Sequence, residues 1–595
     1  MRVLTPTNSI IAATLFTGLA LACNSIVGLD DLSVSSGGAE RTPASGGDGG
    51  ATAGKSNGGS ATTSGNSNGS SAANGGADAT GNAGSPAIGD AGAGGEGGHM
   101  FVGECTKNQQ CIDQFSPKQG TTGAGGAADA RVPAVCIKPQ GRCQKLLSED
   151  CDSVTGDYAN DRAIILGSLF STKGTQAATN LPRQQAAALA IEQINAIGGV
   201  PPDAASTASR PLVLVSCDES TNLVRAAEHL VKDLGVPAIV GPNTSQDTLD
   251  VSSKVTVPGG TVVVTPTAVA SSITSLSDKD LTWLMVPSDV QRAPLMVSQL
   301  NTLESALKIA RSLDAVKLGI VFRNDALGVG TRTSLNDLVF NGKGLTDPVN
   351  LGNHVQIDGY AATDPDQQAL VTKYVSFAPD IIVLAGTAEA VTKVMVPLEA
   401  QWTAPARPTY VVIDSTKVPE LLTAVTNNDD LRSRVRGTGI TPGPTGKDTP
   451  AEAYNGFKID YEVRYPGGTS TISGMGPAHD AAYAIGLALA ATKDQPVSGA
   501  SIALGLRKLA GGGSKLTTLG TNLLAAFQKL GSSANITAVG SFGVLDWDSN
   551  GAVKGGTLEM WCIGGTAAKP VYQSSGLMFD IMLQQQTGSY QQCGQ

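Results

Sequence analysis

The sequence predicts an α/β protein: two doubly wound, Rossmann-like lobes, preceded by a disordered tether and a small cysteine-rich module. Three observations carry this. A β–α rhythm runs from about residue 160, it restarts near residue 317, and the first hundred residues contain long stretches without large apolar side chains. Ala163-Ile164-Ile165-Leu166-Gly167 reads as a buried strand, and Leu181 to Ile197 as a helix with apolar residues at three- and four-residue spacing. Leu212–Val215, Leu223–Leu234, Ala238–Val240 and Val262–Val264 continue the alternation of strand and helix. Lys317–Phe322, Asp380–Leu384 and Tyr410–Ile413 are the strands of the second unit. Helices come next around Asp480–Ala490 and Leu519–Leu530, and short strands near Ala538–Leu545 and Leu558–Trp561. Such a rhythm calls for parallel sheets covered on both faces by helices. Ligands in these folds bind outside the carboxyl ends of the strands, and two lobes create a cleft between them.

The N-terminal stretch addresses the compartment. Met1-Arg2 precedes an apolar run from Ile10 to Ala22, too short to span a bilayer and of the length of a signal-peptide core. Ala20-Leu21-Ala22-Cys23 resembles a bacterial lipobox, which implies removal of residues 1–22, acylation of Cys23 and a cell-envelope location. Asn24 in place of aspartate favours the outer membrane over the inner in a Gram-negative host. Residues 23–99 carry mostly Gly, Ala, Ser, Asn and Thr, which cannot offset the entropy of ordering and read as a flexible tether. Its roughly 65 glycine-rich residues would span about 45 Å as a random coil. The literal P-loop pattern from Gly49 to Ser56 falls inside this tract, with neither the preceding strand nor the succeeding helix that a phosphate cradle needs.

Removing Cys23 leaves Cys105, Cys111, Cys136, Cys143, Cys151, Cys217, Cys562 and Cys593, an even set for an oxidising compartment. We expect bridges within 105–143 and one from Cys151 into the large domain. No CxxC pair and no histidine lies in the cluster, so no metal is expected. A net charge of -10 offers no basic footprint, and nucleic acid is not an expected partner. No nucleophile elbow or HExxH pattern appears, and His99, His229, His354 and His479 are scattered. His229 reads as a solvent-facing helix residue and His479 as helix-start packing. Neither an enzyme nor a cofactor is expected.

The second half of the first helix, Leu189 to Gly199 (LAIEQINAIGG), resembles the first-helix signature of type I periplasmic binding proteins, and specifically of the leucine/isoleucine/valine-binding proteins of ABC importers. Val215-Ser216-Cys217-Asp218, Ile239-Val240-Gly241-Pro242, Thr265-Pro266-Thr267-Ala268 and Pro287-Ser288-Asp289 with Gln291 are similar to that family's successive motifs. Asp325-Ala326-Leu327-Gly328, Pro379-Asp380-Ile381-Ile382, His479-Asp480-Ala481 and Phe542-Gly543 continue the order. The resemblance implies lobes joined by a three-strand hinge over residues 158–575. Lobe 1 is expected at about 158–295 and 446–535, and lobe 2 at about 315–445 and 536–575. The disulfide module would occupy 100–157 and a tail 576–595.

The same resemblance places a ligand site at Ser245, Thr267, Ala268, Thr387 and Asp414, and Ser171 and Thr172 are candidates by their position after the first strand alone. Ser245 would hold a carboxylate at a helix N-terminus, although it is equally a plain N-cap. Asp414 would receive an ammonium, or else cap a helix beginning near Lys417. Val269, Leu327 and Thr387 depart from the family pattern, which keeps a polar skeleton but argues against a leucine-like ligand. The expected function is a lipid-anchored solute-binding protein that captures a small polar solute and delivers it to ABC permease subunits. The alternative is an envelope or surface interaction protein reusing the fold.

Overall fold

The computed structural model describes residues 105–116, 131–138 and 140–594. The signal segment, Cys23 and the glycine-rich stretch lie outside the described residues. No helix among the described residues is long and apolar enough to cross a membrane.

The chain enters with helix Asn108–Phe115 and the hairpin β1 (Ala134–Ile137) and β2 (Arg142–Lys145). Cys105–Cys136 and Cys111–Cys143 bridge this segment. The buried Asn108 amide donates to Tyr158 O (2.9 Å) and Asn160 O (3.1 Å) and accepts from Cys136 N (3.0 Å), fastening the segment to the turn that leads into the first long strand. Val135 and Leu146 enter one apolar cluster with Val213, Val215 and Leu230 of lobe 1. The segment is therefore a flange on lobe 1 and shares its core.

Lobe 1 is built on β3 (Cys151–Thr155), β4 (Ile164–Phe170), β5 (Leu212–Asp218), β6 (Ala238–Val240), β7 (Val262–Thr265) and β8 (Thr282–Leu284), in the order β3-β5-β4-β6-β7-β8. All are parallel except β3, which runs antiparallel to β5 along the edge and is tied to it by Cys151–Cys217. Every residue of β5 is buried, the continuous apolar run expected of a strand covered on both faces. The alanine-rich helix Met475–Ala491 is buried along nearly its whole length against helix Ala177–Ala196, since small side chains let helices approach closely.

Lobe 2 holds β9 (Leu318–Arg323), a small hairpin β10 (Val339–Phe340) and β11 (Lys343–Gly344), then β12 (Val355–Tyr360), β13 (Ile381–Ala385), β14 (Thr409–Val412) and β15 (Val435–Thr441). After a return to lobe 1, where β16 (Ser514–Thr517) pairs with β17 (Ile536–Val539), the chain adds β18 (Thr557–Thr566), β19 (Lys569–Asp580) and β20 (Gln585–Thr587). The lobe 2 sheet runs β12-β9-β13-β14-β15-β18-β19-β20, parallel up to β15 and antiparallel beyond.

The chain crosses between lobes three times: after β8, after β15 and before β18. Ser288 closes a capping box with Gln291 at the start of helix Asp289–Arg311, which explains the Pro-Ser-Asp-x-Gln motif physically. Gln291 Nε2 also donates to Val553 O (2.6 Å), and Trp547 Nε1 to Leu284 O (2.7 Å), lacing the first crossing to the third.

Three expectations change. Ile536, Ala538, Leu545, Trp547 and Val553 belong to the lobe 1 core, so lobe 2 resumes only at β18. Residues 576–595 are no loose tail: β19 runs through them to Asp580, β20 adds an edge, and Cys593 is bridged to Cys562. Leu577 and Phe579 of β19 are buried, while β20 at the sheet edge is exposed at all three of its residues. His229 is buried rather than solvent-facing, because the N-terminal flange covers its helix. Its Nε2 contacts Leu146 O at 3.0 Å and its Nδ1 Asp233 at 3.1 Å.

Candidate functional site

The carboxyl ends of β4, β6 and β7 in lobe 1 face those of β9, β13 and β14 in lobe 2 across a cavity of about 840 Å³. Ser171, Ser245, Thr267, Thr387 and Asp414 all line it. Ala268 does not: it is buried behind the wall with Ile273 and Leu284, and its neighbour Val269 faces the cavity instead. Gly241 (φ 100°) sets this wall. A Cβ there would lie 2.1 Å from Leu169 O, so only glycine lets the loop after β6 pass so close to β4.

The hydroxyls of lobe 1 are largely engaged within the wall. Ser245 Oγ accepts from Val269 N (3.1 Å) and Ala270 N (3.2 Å), clamping the turn after β7. The helix N-cap is Thr244, whose Oγ1 accepts from Asp247 N at 3.1 Å. Ser245 is thus a turn clamp, neither the cap nor an unengaged carboxylate receptor. Thr267 Oγ1 donates to Asn243 O at 2.6 Å, and Ser171 Oγ to Glu219 Oε1 at 3.1 Å. Thr172 is turned to Asp218, which accepts from its N–H at 2.8 Å.

In lobe 2, Asp414 opens a single 3-10 turn, Asp414–Thr416, and the next helix begins only at Pro419 with no side-chain cap. Its carboxylate accepts from Arg292 Nη1 (3.4 Å) and, across the cleft, from Ser473 Oγ (3.5 Å). A cation already occupies the place expected for a ligand ammonium. Thr387 Oγ1 hydrogen-bonds the Glu389 carboxylate and accepts from Arg323 Nη1 at 3.1 Å.

Sequence reasoning missed the charged residues that dominate the walls: Arg183, Arg292, Arg323, Lys417, Asp247 and Asp289. Isolated cations carry no spacing signature. The one usable hint was Arg292, directly after the Pro287–Gln291 motif. Most of these charges fall into two clusters, while Lys417 pairs with Glu559 at 3.7 Å and Asp289 acts on Arg292. Arg183 and Arg292 share Asp414. Desolvation in the cleft pulls the Arg183 guanidinium down to about 10, with Asp414 acting in the opposite direction. Arg292 is lowered by desolvation too, opposed by Asp414 and by Asp289. In the second cluster Arg323 bonds Asp325 (2.7 Å) and Glu389 (3.3 Å), with Asp247 nearby. Burial raises the Asp247 carboxyl, opposed by the Thr244 hydroxyl. Glu219, behind Ser171, is pushed well up by burial and then by Asp247, and its Oε2 has no hydrogen-bond partner. Between the clusters the lining is apolar, with Val286, Met296, Leu327, Ile413, Ile440 and Phe542.

None of His229, His354 and His479 lines the cavity. His479 is buried mid-core, Nε2 on Gln193 Oε1 at 2.8 Å and its ring against Phe457 and Tyr483. The sulfurs of Cys105, Cys111 and Cys136 cluster closely enough to suggest metal ligands, but all are in disulfides and none is a thiolate.

No family model matches the chain, and no curated protein matches it. Solved structures do. The branched-chain amino acid transporter substrate binding protein LivJ from Streptococcus pneumoniae, in complex with isoleucine, aligns at 18% identity over 69% of this chain and 99% of its own, TM-score 0.49. A periplasmic binding protein type 1 from Bordetella pertussis aligns at 14% identity over 69% and 100%, TM-score 0.49. The leucine binding protein LivK from Thermotoga maritima aligns at 14% identity over 69% and 98%, TM-score 0.50. With parallel-sheet lobes, three crossings and this likeness together, the chain has the type I periplasmic binding protein fold.

Proposed function

We propose that the protein is a solute-binding lipoprotein of an ABC importer, anchored through Cys23 and presenting residues beyond the glycine-rich stretch to capture a small solute. The observation that supports this most is the cavity of about 840 Å³ walled by strand ends of both lobes. A ligand seated there touches both halves, and only such differential contact can favour a closed over an open arrangement. Few polar contacts bridge the walls directly. Ala326 N donates to Gln246 Oε1 at 3.3 Å, and Ser473 Oγ to Asp414 at 3.5 Å, so a ligand's contribution would be decisive. A thermal-shift screen of the full chain against amino acids, amides, carboxylates and small peptides tests it. A binder raises Tm with concentration; a flat response across the library counts against solute capture.

A second reading, an envelope interaction protein reusing the fold, is favoured by two features. Ser245 and Thr267 have their hydroxyls engaged within lobe 1. Ile459 and Val463, one turn apart on helix Pro450–Arg464, are 64% and 76% exposed. A gene standing apart from importer permease and ATPase genes would support it.

A further inference from the structure

Resting on the solute-capture reading, we propose that the cleft ligand is an organic carboxylate with an apolar body, its carboxylate held between Arg183 of lobe 1 and Arg292 of lobe 2, and that Asp414 positions these guanidiniums instead of receiving an ammonium. The geometry is built for this. Arg183 Nε is fixed on Ser473 O (2.7 Å) and its Nη1 on Asn180 Oδ1 (2.9 Å). Arg292 Nε is fixed on Pro287 O (2.9 Å). Each guanidinium is thus fastened at one edge to a backbone carbonyl, which limits the side-chain freedom that would otherwise be lost on binding. Ser473 joins the two sides, its carbonyl on Arg183 and its hydroxyl on Asp414. Gly474 (φ 88°) makes room for the arrangement: a Cβ there would lie 2.2 Å from Thr267 Cγ2 and 3.0 Å from Arg183 Nε.

Charge decides the ligand's sign at this cluster. Asp289 also acts on Arg292, but its Oδ1 is taken by Ser271 N–H (3.1 Å) and Val290 N–H (2.7 Å). Asp414 is therefore the acid that hydrogen-bonds Arg292, and at 3.4 Å that is a long contact for a charge-assisted bond. A planar oxyanion matches the forked donors of paired arginines, whereas an ammonium would meet two like charges. Size and lining decide the rest. The cavity lies toward the upper part of the range of about 300–1,000 Å³ that holds drug-sized ligands. Val286, Met296, Leu327, Ile413 and Phe542 give it an apolar interior.

The experiment is a calorimetric and thermal-shift titration of the full chain with hexanoate and phenylpropionate, their primary amides, their amine counterparts, and L-leucine. We expect the carboxylates to bind and the amides and amines to bind at least about tenfold more weakly, since a hydrogen-bonded charge is the feature removed. Arg292→Gln should weaken carboxylate binding about tenfold or more. Arg292→Lys, which keeps the charge but not the fork, should weaken it in the same sense and serves if the glutamine variant does not fold. Asp414→Asn keeps an amide oxygen to accept from Arg292 but removes the competing charge, so it should tighten binding. Equal binding of amides or amines, or unchanged affinity in Arg292→Gln, would overturn the carboxylate assignment, and loss of L-leucine binding in Asp414→Asn without loss of carboxylate binding would return Asp414 to the role of ammonium receptor; each result leaves solute capture intact. No response to any of these solutes would overturn the carboxylate assignment, and solute capture falls with it only if the wider library screen is flat as well.

Discussion

The two charge clusters of the cleft are opposite in balance. Around Asp414, two arginines face one acid hydrogen-bonded to Arg292, and the second acid near them, Asp289, is held by backbone N–H groups. Around Arg323, one arginine serves Asp325, Glu389 and the nearby Asp247. In the first, the bonds to Asp414 are long, 3.4 Å from Arg292 and 3.5 Å from Ser473, while backbone carbonyls anchor both guanidiniums; in the second, Arg323 bonds two carboxylates directly, at 2.7 and 3.3 Å. The difference teaches that one cleft can carry a recognition cluster and a structural cluster built from the same residue types. They are told apart by whether the charges are already satisfied.

Substitutions can break this comparison. The largest effect is expected in the structural cluster. Arg323→Met leaves the Asp325 and Glu389 carboxylates part-buried without their cation and should cost about 3 kcal/mol in urea denaturation. A loss of only a few tenths would mean the cluster is not structural. Ser245→Ala comes next. It strands two buried backbone N–H groups at Val269 and Ala270, so a loss of about 2 kcal/mol is expected. Carboxylate affinity should change less in this variant than in Arg292→Gln. A variant of full stability that loses ligand would return Ser245 to the role of a direct contact.

Glu219→Gln gives the smallest and most diagnostic effect. The folded carboxyl titrates above its unfolded value because of burial, with Asp247 and Asp218 adding to it and Ser171 and the Asn243 backbone opposing. The native state therefore holds its proton longer than the unfolded one, and stability is lost as pH rises through that raised value. Glutamine lacks the penalty. Tm should rise by about 1–2 °C at mildly alkaline pH, and the gap should close on acidification toward the unfolded carboxyl range. A gap that widens on acidification would contradict the assignment.

Much of the frame was legible in the sequence because periodicity reports burial. The restarting β–α rhythm anticipated both sheets; motif order placed Thr267, Thr387 and Asp414, and position after the first strand placed Ser171, at strand ends, where a parallel sheet opens. What those side chains do there was not legible. Ser245 looks like a cap, but Thr244 is the cap, and the choice between adjacent hydroxyls depends on one dihedral. Ala268 and Val269 differ only in which way a turn faces. Asp414 meets Arg292 across 122 residues of chain, and no local pattern encodes that separation. The boundary at residue 536 failed for the same reason: β17 and the segment through Val553 join lobe 1 through contacts far away in sequence.

The central claim is that both lobes grip one solute. Hydrogen exchange on the full chain, with and without phenylpropionate, measures this at the backbone. The prediction is slowed exchange in lobe 1 at residues 471–476 together with lobe 2 at residues 413–418, lost in both for Arg292→Gln. Slowing confined to one lobe, or none at saturating ligand, would contradict it.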